Sequence, residues 1–100
     1  MTPAERTRAI VARVAQHHGV TLAEITGFTR AARSARARTE AAWVLRRLTG
    51  QTKSQIGRAL NRHPSTVVSA IARVEERRAA DPDFVTAVDQ LVDLIRRDFP

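Results

Sequence analysis

Most of the groups in this chain that could do chemistry are guanidinium groups. Sixteen of the seventeen cationic residues are arginine and the other is Lys53, against ten carboxylates, for a net charge of +7. Their placement is uneven. Residues 30–62 hold Arg30, Arg33, Arg36, Arg38, Arg46, Arg47, Lys53, Arg58 and Arg62 against the single acid Glu40, whereas residues 75–100 hold seven acids and four bases. So lopsided a field turns one side of the molecule toward a polyanion. Next to the last of these arginines stands Arg62-His63-Pro64-Ser65-Thr66, with Ser69 one helical turn further on. Small hydroxyls and an imidazole suit hydrogen bonds to base edges in a DNA groove.

Other chemistries lack their parts. His17 and His18 are adjacent, so on a helix they point about 100° apart, and no third ligand stands at metal-site spacing. The serines have no base and orienting group near them in sequence, and there is no cysteine thiolate. No GxxxxGK[ST] phosphate loop is present. We therefore expect no enzyme, no metal and no cofactor. His63 keeps two readings: a donor to a base or phosphate, or a cap on the helix that follows. No apolar run reaches the ~18–20 residues of a membrane span, and the N-terminus lacks the apolar stretch of a signal peptide. The expectation is a cytoplasmic, nucleoid-associated protein. A cap directly behind Met1 suggests a whole small protein, with residues 1–100 a single domain.

The elements that must position these groups read as helices throughout. Thr2-Pro3-Ala4-Glu5 is a capping box with proline at the first helical position; its helix runs to about His18 and stops at Gly19, burying Ile10, Val11 and Val14. Thr21-Leu22-Ala23-Glu24 opens one short turn that Gly27 ends. Residues 28–33 show no helical periodicity and read as a loop. From about Ser34 to Thr49, Ala41, Val44, Leu45 and Leu48 share a face, and Gly50 is the stop. Trp43 lies off that stripe, against a neighbouring helix or at the surface. Thr52-Lys53-Ser54-Gln55 is a third capping box, in a short helix where Gly57 allows another helix to come close. Asn61-Arg62-His63 is a tight turn, and Pro64 restarts a helix that buries Val67, Ala70, Ile71 and Val74. Asp81-Pro82 begins a last helix on Phe84, Val88, Leu91, Val92 and Ile95. The fold class is all-α, about six helices, with a helix-turn-helix at roughly 52–80.

That motif suits B-DNA, because its second helix lays an N-terminal turn in the major groove while the first crosses the backbone. With the apolar stripe inward, Ser65, Thr66, Ser69, Ala72 and Arg73 face out, and Arg62 and His63 sit at the tip. Thr52 and Lys53, at a helix N-terminus, suit a phosphate. The arginines of the preceding loop are placed for the electronegative minor groove.

The run Ala35-Arg36-Ala37-Arg38-Thr39-Glu40-Ala41-Ala42-Trp43-Val44-Leu45-Arg46-Arg47-Leu48-Thr49, with Ser54-Gln55-Ile56-Gly57 and Arg62-His63-Pro64-Ser65-Thr66-Val67, resembles the C-terminal DNA-binding domain of the bacterial initiator DnaA family. The likeness extends from about Arg8 to Ile95. It implies that Arg30 enters the minor groove, with Arg33 compensating for a loop arginine that is Ala32 here. Arg36, Arg38 and Arg46 would lie along the DNA backbone, and Arg62, His63, Pro64, Ser65 and Thr66 would form the base-reading segment. Two departures bear on specificity. His63 and Pro64 replace the family's aspartate and histidine, and one glycine of its turn is missing. The Arg62–Val67 segment also resembles helix-turn-helices of some transposases and phage regulators.

The function expected is double-stranded DNA binding, sequence-specific, in a replication-, phage- or transcription-related regulator. Base readers are Arg62, His63, Pro64, Ser65, Thr66 and Ser69; the minor-groove pair is Arg30 and Arg33; Arg36, Arg38, Arg46, Thr52, Lys53 and Arg73 hold phosphates. The alternatives are an architectural binder with little sequence preference and a protein-interaction adaptor that has lost DNA binding. The chain is expected to act as a monomer or weak dimer, with the acidic last helix open to a protein partner.

Overall fold

Threonine hydroxyls start three of the helices, and prolines start three. The computed structural model describes residues 1–99 as α1 (Pro3–His18), α2 (Leu22–Thr26), α3 (Ala32–Thr49), α4 (Lys53–Leu60), α5 (Pro64–Ala80) and α6 (Pro82–Asp98), with no strand among the described residues. Thr2, Thr21 and Thr52 each accept a hydrogen bond from the amide three residues on, and Glu5, Glu24 and Gln55 accept from the cap amide in return. Proline supplies the first residue of α1, α5 and α6, where its missing N–H costs nothing. All three anticipated capping boxes form.

One boundary differs from the expectation. The loop of residues 28–33 is shorter, because α3 begins at Ala32 rather than about Ser34. Ala31 provides no side-chain cap, so nothing local marks the start. Alanine and arginine favour helix strongly, and tertiary contact carries the helix back toward the loop. Ser34 is fully buried inside α3 and donates to Glu24 Oε2 of α2 at 3.2 Å.

Helix α3 is the centre of the molecule and packs on all five others. Ala37, Ala41 and Ala42 are buried and allow close approach, while Val44 and Leu45 join Ile10 and Val14 of α1 in the interior. The same core takes in Ile25, Ile56, Leu60, Val67, Val74, Val88, Val92 and Ile95. Each fully buried aliphatic side chain contributes about 1.5–3 kcal/mol, so α3 sets the framework on which the outer helices are hung. Trp43 belongs to the interior as well. It is 4% exposed, and its Nε1 donates to Glu75 Oε1 of α5 at 2.8 Å, with the Arg78 guanidinium 4.7 Å from the ring. Helix α6 is fastened by Arg78–Asp89 at 2.8 Å and by the Arg13–Asp98 ion pair with α1.

Candidate nucleic-acid interface

Helix α4, the turn at 61–63 and α5 form the helix-turn-helix, and the turn owes its shape to two residues. Asn61 takes the left-handed conformation, φ 56 and ψ 49, which asparagine tolerates better than most residues. Gly57 lies under the turn, where a Cβ would meet the Arg62 carbonyl oxygen at 2.5 Å. That close approach is made by turn backbone, not by another helix as the sequence suggested. The Arg62 amide donates to the Gly57 carbonyl at 2.8 Å and closes the turn.

His63 is the cap of α5: its Nδ1 accepts from the Ser65 amide at 3.1 Å and lies 2.8 Å from Ser65 Oγ. With Nδ1 accepting, the neutral ring carries its proton on Nε2, a free donor on an exposed side chain. Both readings of this residue are therefore compatible. Along α5, Ser65, Thr66, Ser69, Ala72 and Arg73 are exposed, while Val67 and Val74 are buried and Ala70 and Ile71 half-buried. Val68, which periodicity did not single out, lies 49% exposed on the same helix.

Arg62 does not extend from the tip. Its Nη1 donates to the carbonyls of Asn61 at 2.9 Å, Leu60 at 3.4 Å and Thr26 at 3.5 Å, and its Nη2 to that of Gly27. Asn61 Nδ2 also donates to the Thr26 carbonyl, at 3.1 Å. These bonds fasten the helix-turn-helix tip to the end of α2 and hold the start of the α2–α3 loop against the turn. Arg38 works from the other side, with Nε donating to the Ile25 carbonyl at 2.6 Å and Nη2 to that of Glu24 at 3.2 Å. Its pKa lies below the ordinary guanidinium value, first because burial penalises the charge and second because Arg62 repels it.

The remaining arginines fall into three places. Arg30 is exposed in the loop. Arg33 is exposed too, but in the first turn of α3, with its Nη1 only 3.9 Å from where a Cβ on Gly19 would sit, at the end of α1. The flexible-loop setting expected for it is corrected by the earlier start of α3. Arg36 and Arg73 line one groove between α3 and α5, together with Thr39 and Arg77. Arg46 Nη1 donates to the Gln51 carbonyl at 2.6 Å, next to the exposed Thr52 and Lys53. Arg77, one turn past Arg73 on α5 and not singled out in the sequence, lies over the Phe84 ring at 4.0 Å with its Nε 3.9 Å from Asp81 Oδ2.

The acids of α6 are partly engaged within the chain, Asp89 by Arg78 and Asp98 by Arg13. No helix of the described residues is long and apolar enough to cross a membrane.

Residues 7–74 match the family described as the bacterial DnaA protein helix-turn-helix. Over 82 residues, 82% of the chain, the sequence is 32% identical to the chromosomal replication initiator protein DnaA of Deinococcus radiodurans, and it spans 18% of that relative's length.

Proposed function

This chain belongs to the bacterial DnaA helix-turn-helix family, a DNA-binding and non-catalytic domain, and we propose that it recognises a specific duplex sequence through two adjacent grooves. Helix α5 enters the major groove, where Ser65, Thr66, Ser69 and the free Nε2 of His63 meet base edges. Arg30 reaches the neighbouring minor groove. The observation that carries this reading is the clamp of Arg62 and Asn61 on the Thr26 and Gly27 carbonyls, which ties the arginine loop to the reading helix. Arg62, held in this clamp, sets the geometry of the base-reading segment, and Pro64 starts the helix that presents it.

Arg36 and Arg73, with Arg77, hold one stretch of phosphates, and Arg46, Thr52 and Lys53 hold another. Arg33 and Arg38 add charge, Arg38 through the part of its guanidinium that the α2 carbonyls leave free. One chain carries every part of this surface, so it engages DNA as a monomer, and binding to duplex associates it with the nucleoid. The name of the Deinococcus relative supports a place in replication control, with a phage or transcriptional regulator as the same mechanism put to another use. His63 and Pro64 at the tip shift the preferred site away from that of typical family members.

Selection from a random double-stranded pool tests this, followed by titration of the winning site at two salt concentrations. A compact consensus that resists competitor DNA is expected. A pool that returns no consensus would leave an architectural binder, and no duplex binding at all would leave a protein adaptor.

A further inference from the structure

Phe28 stands outside the core with its side chain 87% exposed. It is flanked by Gly27, which has no side chain, and by the small Thr29. The loop that carries it is nonetheless held from several sides. Gly27 and Thr26 accept from Arg62, Thr26 accepts also from Asn61, Ile25 accepts from Arg38, and the Ala31 amide donates to Thr29 Oγ1 at 3.3 Å. A large apolar ring on a loop held in place stays largely in water in the free protein, and burying it would be favourable. Its surroundings say what could cover it. The Arg62 guanidinium lies 5.8 Å from the ring centroid, and Arg30 follows two residues later. A cationic frame around an apolar ring matches a partner with anionic edges and an apolar interior, which describes a DNA groove with phosphate walls and stacked bases beneath.

We propose that Phe28 is a wedge that enters the minor groove beside Arg30, opens a base step and bends the duplex toward α5. This rests on the DNA-binding function proposed above and goes beyond it by assigning Phe28 a contact in the complex. Apolar side chains that part a base step from the minor groove kink the helix toward the major groove. Here that direction wraps the DNA around the recognition helix and brings its phosphates toward Arg36, Arg73 and Arg77. Pyrimidine–purine steps are the most easily unstacked, so such a step belongs at the position under the ring.

The test uses the intact chain and a duplex bearing its selected site, labelled at both ends for energy transfer. Wild-type protein is expected to bend this duplex by at least about 20°. Phe28→Ala should lower affinity about tenfold and lose most of the bend, with an unchanged melting temperature, because the ring is outside the core. Phe28→Leu should keep most of both, since leucine is still an apolar wedge. Replacing the pyrimidine–purine step should weaken wild type more than Phe28→Ala. Phe28→Ala that binds and bends like wild type overturns the wedge while leaving DNA binding intact. The wedge is equally overturned if the melting temperature of Phe28→Ala falls, or if only single-stranded binding suffers. Wild type that binds no duplex would take down both proposals, so the two failures are distinct.

Discussion

Arg30 and His63 do different work in the proposed complex, which makes them separable. Arg30 has no ion-pair partner among the described residues, so in the proposed complex its contribution would come from the minor groove. Arg30→Ala should cost about 1–3 kcal/mol of duplex affinity, with little change in melting temperature, measured by fluorescence anisotropy and thermal denaturation. His63 is bound into the fold by its Nδ1 cap on Ser65. His63→Ala should therefore lower stability by about 1 kcal/mol and also alter the selected consensus. His63→Asp offers a check, because aspartate caps at least as well but cannot donate to a base. It should restore stability and not the preference. If His63→Asp recovers both, the imidazole is a cap and nothing more.

Two opposing effects meet at Gly57. Alanine there would favour the helix by about 0.5–1 kcal/mol relative to glycine. Against that, its Cβ would lie 2.5 Å from the Arg62 carbonyl oxygen, which is backbone and cannot swing aside. Overpacking against a fixed group costs about 1–3 kcal/mol, so Gly57→Ala should be net destabilising and should weaken DNA binding by opening the turn. Denaturant melts of the variant check the sign, and a more stable Gly57→Ala protein would mean the turn can relax. The link between turn and loop makes a second prediction. If Arg62 positions the loop that carries Arg30, the two residues are coupled. Arg30→Ala should cost less affinity in an Arg62→Ala background, with an interaction energy of at least about 0.5 kcal/mol in a double-mutant cycle. Strict additivity would separate the loop from the turn.

Across the molecule, charge is distributed so that part of the sequence's excess of arginine stays free of ion pairs. The acidic α6 neutralises Arg13 and Arg78, cations on the α1 and α5 surfaces it packs against, whereas Arg30, Arg36 and Arg73 have no acid within ion-pair distance among the described residues. If about six phosphates are contacted, the logarithm of the binding constant should fall with the logarithm of salt at a slope near −5. Removing Arg36 or Arg73 should reduce that slope by about 1 each while leaving the consensus unchanged. A slope unaffected by both variants would move the phosphate track away from the α3–α5 groove.

The helices and their starts were legible in the residues alone, because capping boxes, N1 prolines and stop glycines act within a few residues of themselves. The helix-turn-helix followed from the same local rules, and so did the outward face of α5. Where no local signal existed, legibility ended: Ala31 caps nothing, and the first turn of α3 meets α2 through the tertiary bond of Ser34 to Glu24. The roles of Arg62 and Arg38 were hidden for a related reason. A guanidinium on a long flexible stem meets a phosphate or a carbonyl equally well, and the choice depends on which carbonyls the packed helices leave exposed. Thr26, Gly27 and Ile25 lie far from these arginines in the chain and come within reach only when α2 and the turn pack around α3. The exposure of Phe28 likewise belongs to the assembled fold, since an aromatic residue beside a glycine is buried or bare according to what the other helices bring to it.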